Sequence, residues 1–600
     1  MRRVEAAHPS LTIGALFLIS EPSDMKKPMT RLAAYTIFLT LLSLGIALFG
    51  LACAEPADER RPNVIIILTD DQGFGDAGVH GNDKIRTPNL DRFAREGVEF
   101  TRFYVSPVCA PTRASLMTGR YYYRSGVIHT SRGGAKMHGE EVTLAETLRD
   151  AGYRTGIFGK WHLGDNYPMR PMDQGFGESL VHKSGGIDQT PDKPNGYFDP
   201  LLWRNGQAFH SKGYCTDVFF NAALGFIEDN QDEPFFIYLP TNAPHGPLIV
   251  DEKYSSRYAE MGLDDPTAKV YGMVENIDEN FGLLIAKLDE LNLRDDTIVM
   301  FISDNGPAGE RYNAGLRGRK AQAYEGGIRA LSFLQWPRRV KTPTKIDRIA
   351  AHIDVAPTVL DAAGVTPPEN IAFDGVSLMP LIDGSAQNWP ERTLFFQCHR
   401  GLSPQPYQNA AVVTDRYKLV MSANSFNDEN LQLPPEPPLE LYDIEAEPGE
   451  QQDLSSQHAD VLADLRGRYD AWFEDVRGTR EFTPGVIHLG SDEEQPAVLC
   501  RYQDQTYEDG EPTGWAVEIE RGGEYELTVN RGGESGPVTM YVRVDDGVTS
   551  AELAAGTASA VFELAAGKVV LDVWVQEPGQ PRVVISNNGT LGDVTVRRLE

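Results

Sequence analysis

Apolar and polar residues alternate in two different patterns along the chain after residue 63. Short apolar runs, at residues 64–68, 154–158, 235–239 and 298–302, are separated by longer stretches with the spacing of amphipathic helices. Strands that alternate with helices are typical of a sheet whose strands run mostly parallel. The pattern therefore predicts an α/β fold with a mostly parallel central sheet flanked by helices.

Each of these four apolar runs is followed by polar side chains. They are Asp70 and Asp71 after the first run, Lys160 and His162 after the second, His245 after the third, and Asp304 and Asn305 after the fourth. In open α/β sheets, ligands bind at the carboxyl ends of the strands. We therefore expect these side chains to share one site.

The pattern of apolar and polar residues changes twice towards the C-terminus. We assign a catalytic α/β domain to residues 60–385 and a smaller C-terminal α+β subdomain to residues 386–485, with a predicted helix at 459–476. Over residues 491–600, glycine-rich turns separate short alternating runs, which predicts a β-sandwich accessory domain. Aromatic residues in this tail could bind carbohydrate, but at strand spacing they more often fill a sandwich core. They are Tyr502, Tyr507, Trp515 and Tyr525.

The N-terminus has the features of an export signal. A charged start at residues 25–27 precedes an apolar run at 32–51, and small residues surround Cys53. This order predicts a signal peptide region at residues 1–54, with Met25 as an alternative start, and a periplasmic or extracellular protein. The apolar run is also just long enough to be a membrane anchor. A lipid anchor at Cys53 is the third interpretation.

The overall charge narrows the range of partners. The 600 residues include 56 Lys and Arg against 86 Asp and Glu, which gives a formal net charge of -30. Such a surface repels nucleic acid phosphates unless a local basic patch overrides it, so nucleic acid is not expected as a partner. The five cysteines form no CxxC pair. This spacing argues against a zinc ribbon and against a disulfide-rich scaffold.

Cys109 opens a segment with distinctive chemistry. Pro111 lies in the first turn of a predicted helix, and Arg113 lies one turn into it. The N-terminus of a helix attracts anions, so a thiol there would be activated, or its replacement would be held against an anionic substrate. The alternative is a buried structural cysteine, which is the commoner fate of an isolated cysteine.

Residues 109–120 carry a motif that is similar to the signature of type I sulfatases, in the alkaline phosphatase superfamily. The motif reads Cys-x-Pro-x-Arg followed by Leu-x-Thr-Gly-Arg. Other segments resemble sulfatase motifs in the family's order, namely residues 69–73, 159–164, 243–245, 303–306, Lys320 with 324–327, 441–443 and 448–450. The resemblance covers roughly residues 62–480 and implies an arylsulfatase-like enzyme that hydrolyses sulfate esters. Arg319 and Ala321 depart from the small residues that the family tends to have beside this lysine.

The resemblance also implies a modified residue and a metal ion. A formylglycine-generating enzyme would oxidise Cys109 to formylglycine, and residue 109 would help to bind one calcium ion with Asp70, Asp71, Asp304 and Asn305. The four acidic and amide side chains offer only hard oxygen ligands, which suit calcium or magnesium and do not suit zinc. A helix-capping pair would explain Asp70 and Asp71 but not the other two residues.

The family's catalytic roles carry over to six positions. They are Cys109, Arg113, Lys160, His162, His245 and Lys320. Lys160, His245 and Lys320 would bind the sulfate, and Arg113 would add positive charge that stabilises the transferred group.

By the same resemblance, the hydrated aldehyde at residue 109 would take up the sulfate group. His245 would protonate the departing alcohol, and His162 would then remove a proton so that inorganic sulfate leaves. Imidazole suits both steps because its reference pKa lies near neutrality. His129, His182 and Ser184 could line the same pocket, judged only by their positions relative to the motifs.

Two other functions fit the same sequence. Relatives with a similar nucleophile hydrolyse phosphate diesters or phosphonate monoesters, whose tetrahedral anions are close to sulfate in shape. An unmodified Cys109 would instead leave a non-catalytic protein that binds sulfated glycans. For the sulfatase, the expected substrate is a sulfated glycan or small molecule, and the export signal with the accessory domain favours a glycan.

Overall fold

The structure is a computed structural model that describes most residues from 61 to 599. The residues not described are 1–60, 341–342, 370, 402, 423–424, 427–433, 435–436, 501–505, 509–510, 530–535, 581–592 and 600. The predicted signal peptide region, with Cys53, therefore lies outside the described residues. Within the described part, no helix is both long enough and apolar enough to cross a bilayer.

A large mixed sheet forms the centre of the described chain. The strands up to residue 351 are β1 (Asn63–Thr69), β2 (Val98–Phe100), β3 (Phe103–Tyr104), β4 (Arg154–Lys160), β5 (Glu178–His182), β6 (Leu201–Arg204), β7 (Gln207–His210), β8 (Phe235–Pro240), β9 (Thr297–Ser303), β10 (Arg329–Ala330), β11 (Ser332–Gln335), β12 (Thr344–Ile346) and β13 (Ala350–Ala351). Among the described residues, ten of these strands pair in the order β12-β2-β11-β9-β1-β8-β4-β5-β6-β7. The neighbours β9, β1, β8, β4 and β5 run parallel, whereas β11, β6 and β7 pair antiparallel. The predicted α/β fold is confirmed.

Helices cover both faces of this sheet. They are α1 (Pro88–Glu96), α2 (Cys109–Thr118), α3 (Leu144–Asp150), α4 (Cys215–Asp229), α5 (Glu252–Glu260), α6 (Asp265–Glu290), α7 (Glu325–Ile328), α8 (Val355–Ala363) and α9 (Met379–Ile382). Along β1, Val64, Ile66 and Leu68 join the core cluster that contains α2 and α8, while Ile65 and Ile67 join the cluster that contains α4 and α6. Because β1 is buried on both faces, its sequence is an unbroken apolar run.

A four-stranded antiparallel sheet follows the central sheet in the chain. Its strands pair in the order β14 (Leu394–Gln397), β15 (Ala410–Val413), β16 (Tyr417–Met421) and β17 (Leu439–Asp443), and α10 (Ala459–Arg480) follows them. Helix α10 starts at the predicted residue and runs about one turn beyond the predicted end. Residues 61–600 form one compact unit, so the domain boundaries predicted from the sequence stay predictions.

A fully buried charge cluster joins this small sheet to the central part. Lys418 on β16 lies 3.1 Å from Glu325, at the start of α7, and 2.9 Å from Glu450. The backbone N–H of Glu325 also donates to the Glu450 carboxylate at 2.7 Å. Burial raises the pKa of Glu450 to about 7, with Lys418 opposing the shift and the Glu325 carboxylate adding to it. Lys418 therefore bridges two buried carboxylates, of which Glu325 also pairs with Arg329 at 3.4 Å.

Replacing this lysine tests how strongly the two parts are joined. Lys418→Met keeps most of the side-chain volume but leaves Glu450 without its described cation and Glu325 with only Arg329, 3.4 Å away, so we expect a loss of stability of about 3–5 kcal/mol. Lys345→Met is the matched control, because the side chain of Lys345 is 71% exposed and its partner, Glu99, also pairs with His80. The control should cost no more than about 1 kcal/mol. Similar urea midpoints for the two variants would contradict the role of the buried cluster.

The C-terminal tail forms two further sheets with one core between them. Its strands are β18 (Ile487–Leu489), β19 (Ala497–Leu499), β20 (Thr506–Glu508), β21 (Glu511–Ile519), β22 (Gly523–Val529), β23 (Val538–Val544), β24 (Gly547–Leu553), β25 (Ser559–Leu564), β26 (Gly567–Gln576) and β27 (Val594–Arg598). One sheet has the order β18-β21-β26-β23-β24, with β20 on β21, and the other has the order β19-β27-β22-β25. Trp515 and Tyr525 are buried between them, as the core interpretation predicts. Tyr502 lies outside the described residues.

Candidate active site

The carboxyl ends of four neighbouring parallel strands meet at one edge of the central sheet. Strand β1 leads into Asp70 and Asp71, β9 leads into Asp304 and Asn305, β4 ends at Lys160 with His162 two residues on, and His245 follows β8. The parallel register of β9, β1, β8 and β4 therefore brings these strand-end residues together.

The four predicted metal ligands form a connected cluster. Asp71 donates its backbone N–H to Asp304 Oδ1 at 3.2 Å, and Asn305 Nδ2 donates to Asp71 Oδ1 at 2.8 Å. One carboxylate oxygen each of Asp70 and Asp304 and the sulfur of Cys109 all lie within 4.8 Å of one another. The buried oxygens Asp70 Oδ1 and Asn305 Oδ1 accept no hydrogen bond from the described residues. These two oxygen atoms are thus available to bind a ligand such as a cation.

Three buried or half-buried cations surround this acidic cluster. Arg113 Nη2 lies 2.8 Å from Asp304 Oδ2 and 3.4 Å from Asp70 Oδ2. Lys160 Nζ pairs with Asp70, and Lys320 Nζ pairs with Asp71. Arg113 also donates to the backbone carbonyl of Lys160 at 2.8 Å, which ties α2 to the end of β4.

The cluster shifts the pKa values of Asp70 and Asp304 in opposite directions. Burial alone would raise the pKa of Asp70, but the positive charges of Lys160, His245, Arg113 and Lys320 hold it well below its usual value. The pKa of Asp304 is raised to about 7 by burial and by the negative charge of Asp70. A divalent cation beside both carboxylates would favour their ionised forms.

Cys109 is the first residue of α2 and lies at the inner end of the site. Its exposed fraction is only 3%, and the whole of α2 is buried. Burial raises the pKa of the Cys109 thiol, with Lys160 and Lys320 opposing the shift. The activation that a helix N-terminus predicts for this thiol is therefore outweighed by burial, and the thiol is a weak nucleophile as it stands.

Hydrogen bonds fix both histidine rings. His162 Nε2 lies 2.9 Å from the carbonyl oxygen of Thr130, so Nε2 carries the proton and the buried Nδ1, which has no described partner, keeps its lone pair. His245 Nδ1 lies 2.7 Å from the carbonyl oxygen of Gly246, which leaves Nε2 facing Asp71 Oδ2 at 4.0 Å. Burial lowers the pKa of both histidines, with Lys160 adding to the effect at His162 and Lys320 at His245.

These groups open into a cavity of about 370 Å³. It is lined by Val108, Cys109, Thr130, Ser131, His162, Gly185, Gln189, His245, Ala308, Gly309, Arg319, Lys320, Ala321, Arg400 and Phe426. Arg113 and Lys160 are fully buried behind the lining. The cavity thus has a cysteine, two histidines and a lysine on its walls, with an acidic cluster against them.

Residues 62–365 match the family model described as Sulfatase, and residues 319–472 match the model described as N-sulphoglucosamine sulphohydrolase, C-terminal. The chain belongs to the sulfatase family. This membership makes it a sulfuric ester hydrolase, arylsulfatase-like in family and alkaline phosphatase-like in fold. It favours sulfate esters over the phosphoester, phosphonate and binding-protein alternatives.

Characterised sulfatases match most of the chain. Steryl-sulfatase of Homo sapiens is 32% identical over 449 residues, which cover 60% of this chain and 76% of the relative. Arylsulfatase A of Homo sapiens is 32% identical over 454 residues, which cover 68% of this chain and 84% of the relative. The crystal structure of Ps i-CgsB in complex with k-i-k-neocarrahexaose has a TM-score of 0.62 at 28% identity, and the match covers 69% of this chain and 93% of that chain.

The rim of the sulfatase cavity contains residues that sequence reasoning missed. Thr130, Ser131, Gln189, Arg400 and Phe426 line it, but they belong to no motif and reach the site only through tertiary packing. Of the three side chains suggested by position alone, none is in the described lining. Two of them contact a lining residue: the Ser184 hydroxyl donates to Gln189 Oε1 at 3.2 Å, and the backbone N–H of Ser131 donates to His129 Nδ1 at 3.1 Å.

Proposed function

We propose that this sulfatase hydrolyses sulfate esters of carbohydrates through a formylglycine at position 109 and a bound calcium ion. The observation that carries the proposal is the meeting of Cys109 with an acidic cluster and with lysine, arginine and histidine side chains in one cavity. Sulfate release from a panel of sulfated polysaccharides, oligosaccharides and aryl sulfates tests it. Release from aryl sulfates alone would argue against the carbohydrate assignment.

The donor set fits calcium. Asp70, Asp71, Asp304 and Asn305 supply only hard oxygen atoms, and two of those oxygens are buried without a described partner. Burying polar oxygens without a partner is costly, which supports a cation between them. Bound there with residue 109, calcium would supply positive charge against the sulfate.

Oxidation of Cys109 supplies what the thiol lacks. The hydrated aldehyde of formylglycine offers a hydroxyl as nucleophile, and a formylglycine-generating enzyme would be the partner during maturation. Lys320 and His245, which line the cavity, are suited to bind the sulfate oxygens. Arg113, which is fully buried outside the cavity lining, pairs with Asp70 and Asp304 and orients them. Contact between Lys160 and the sulfate stays a prediction.

The two histidines suit the two proton transfers. Nδ1 of His245 donates its proton to the Gly246 carbonyl, so Nε2, which faces the site, would hold a proton for the departing alcohol only in the imidazolium form, which the carboxylates of Asp70 and Asp71 favour. Nδ1 of His162 keeps its lone pair, and burial holds the pKa of this ring well below its usual value. His162 is therefore suited to accept a proton at residue 109 as sulfate leaves.

Carbohydrate is the favoured substrate class for two reasons. Ps i-CgsB, a structural relative at 28% identity, was crystallised with k-i-k-neocarrahexaose. The predicted signal peptide region would also bring the enzyme to the periplasm or the cell exterior, where sulfated polysaccharides occur. Because steryl-sulfatase is a relative at 32% identity, a sterol sulfate is added to the test panel as the non-carbohydrate comparison.

The proton donor role predicts a dependence on the leaving group. His245→Ala should reduce turnover of a sugar sulfate by on the order of 10² to 10⁴, because a sugar alkoxide is a poor leaving group without a proton. Turnover of nitrophenyl sulfate should fall far less, since nitrophenolate departs unaided. The measurement is kcat/KM of the native enzyme and the variant on both esters. Equal losses on the two would refute the assignment.

A further inference from the structure

A second cavity, of about 490 Å³, opens between the central sheet and the C-terminal tail. Its deep end is formed by buried residues of the central part, among them Trp161, Ser179 and Val181. Its mouth lies between the exposed residues 205–207, at the turn from β6 to β7, and residues 493–496 of the tail. Cavities of this size where two parts of a chain meet are a preferred place for small-molecule sites. The second cavity is therefore a candidate ligand site.

Direct contacts hold the two sides of the second cavity together. Asn166 Nδ2 donates to the carbonyl oxygen of Val498 at 3.1 Å, and the backbone N–H of Tyr167 donates to the Glu494 carboxylate at 2.9 Å. Met169, in the same segment of the central part, is fully buried in the hydrophobic core of the tail. A site whose walls are already in contact loses little conformational entropy when a ligand binds. The second cavity is therefore preformed.

An oriented tryptophan lines the second cavity. The indole N–H of Trp203, on β6, donates to Asp192 Oδ2 at 2.9 Å, and the ammonium group of Lys183 lies 3.8 Å from the centroid of the indole ring. These two contacts hold the indole in one orientation, and the residue remains partly exposed. The C–H groups of a sugar ring form an apolar face that packs against aromatic rings, while the sugar hydroxyls need polar partners nearby. A fixed indole beside charged groups is therefore suited to a saccharide.

Charged side chains of both signs line the second cavity. The carboxylates are Asp165, Glu493 and Glu494, and the cations are Arg170 and Lys183. Three carboxylates against two cations do not favour an anion. A hydroxyl both donates and accepts hydrogen bonds, so a sugar can bind carboxylates and cations that lie side by side. The lining of the sulfatase cavity, by contrast, has three Lys and Arg side chains and no Asp or Glu among the described residues. The two cavities therefore favour ligands of different charge.

The second cavity lies beside the sulfatase cavity. Trp161, at the deep end of the second cavity, directly precedes His162, which lines the sulfatase cavity. Asp165 Oδ2 accepts the backbone N–H of Ser184 at 2.7 Å, and the Ser184 hydroxyl donates at 3.2 Å to Gln189 Oε1, in the lining of the sulfatase cavity. The segment that contains His162 and Asp165 thus separates the two cavities. A glycan with its sulfated residue in the sulfatase cavity would bring other residues of the same chain towards the second cavity.

Building on the proposed function, we propose that the second cavity binds uncharged sugar residues of the glycan whose sulfate ester this enzyme hydrolyses. Trp203 packs against a sugar ring, and Glu494 with the other charged side chains binds the hydroxyls. The C-terminal tail then takes part in glycan recognition by forming one wall of this site, although its aromatic residues Trp515 and Tyr525 are buried in its own core. The substrate class is a sulfated oligosaccharide or polysaccharide that also contains unsulfated sugar residues.

Calorimetric titration with uncharged hexasaccharides tests this site without using the sulfatase activity. The probes have galactan, glucan and mannan backbones, and the native enzyme should bind at least one of them. Trp203→Leu should weaken that affinity by about 10-fold or more, because it removes the aromatic face. Glu494→Gln keeps an oxygen that accepts the Tyr167 N–H but loses a charge-assisted hydrogen bond to the sugar, which should weaken the affinity by about 10-fold. With the sulfated form of the bound hexasaccharide as substrate, both variants should lower kcat/KM mainly through KM.

A tryptophan elsewhere in the tail provides the matched control. Trp574, on β26, is partly exposed, stacks on Tyr541 with 5.2 Å between the ring centroids, and is not in the lining of the second cavity. Trp574→Leu should keep the affinity of the native enzyme. Melting temperatures show which variants are folded, and Glu494→Gln carries the test if Trp203→Leu is not.

Three results would overturn the inference. They are no binding of any hexasaccharide by the native enzyme, native affinity in the folded cavity variants, and a loss in Trp574→Leu equal to the loss in Trp203→Leu. Binding of an uncharged hexasaccharide without sulfate release from any carbohydrate sulfate would instead overturn the proposed function.

Discussion

Cys109→Ala is expected to abolish sulfate ester hydrolysis and to leave the fold intact. The substitution removes the thiol that has to be oxidised away for the Cβ atom to become the aldehyde, whereas the removal of one sulfur atom changes little packing at the start of α2. Turnover should fall to the uncatalysed rate, a larger loss than the one expected for His245→Ala. Sulfate release and thermal unfolding of the purified variant, side by side with the native enzyme, measure the two effects.

Cys109→Ser separates modification from simple nucleophilicity. Serine keeps a hydroxyl at the same position, but in a host that converts only cysteine it would stay unmodified, so the variant should be nearly inactive. Mass spectrometry of the peptide that contains residue 109 provides the control, because it reports the fraction of native enzyme that carries formylglycine. Normal turnover by the serine variant would mean that the oxidation is not needed.

Removal of the metal is expected to cost both activity and stability. A strong chelator should stop turnover, and calcium should restore it, because the acidic cluster would otherwise hold several negative charges next to an anionic substrate. Binding to the native state alone stabilises by mass action, on the order of 2–3 kcal/mol at a hundredfold excess of metal over its Kd. The melting temperature with chelator and with calcium measures this difference.

Asp304→Ala is the matching variant for the metal experiment. It removes a predicted ligand whose carboxylate also accepts a hydrogen bond from Arg113 at 2.8 Å, so the variant should be less stable than the native enzyme even with calcium present. Added calcium should then shift its melting temperature much less than it shifts that of the native enzyme. Active native protein without any divalent metal in elemental analysis would contradict the metal site.

Sequence patterns predict the centre of the sheet because its strands are buried on both faces. Such strands must be continuous apolar runs, and β1, β4, β8 and β9 are all visible in this way. The strands outside this centre, β2, β6, β7, β11 and β12, are only three or four residues long, so no apolar run indicates them. Residues that end central parallel strands are predictable for the same reason, since the parallel register carries them to one edge.

Properties that depend on how deeply a residue is buried, or on contacts between residues far apart in the sequence, could not be predicted from sequence patterns. The thiol of Cys109 occupies the expected helix start, but only the structure reveals that burial outweighs the helix N-terminus and raises its pKa. Arg400 and Phe426 approach Cys109 from the small C-terminal sheet, through contacts that no local spacing encodes. Lining residues that come from a distant part of the chain are therefore harder to find from sequence than the residues that end the central strands.

The burial of Cys109 also limits the time in which a modifying enzyme could reach this residue. An enzyme that oxidises this cysteine has to seat the surrounding segment in its own active site, and the folded chain leaves only 3% of Cys109 accessible. Under the proposed modification, oxidation would have to come before the sheet closes, and closure needs β9 and Asp304, which lies 195 residues after Cys109 (304 minus 109). At a synthesis rate of about 5–20 residues per second, those residues take roughly 10–40 s to appear. Conditions that slow the closure of the sheet would therefore increase the fraction of active molecules.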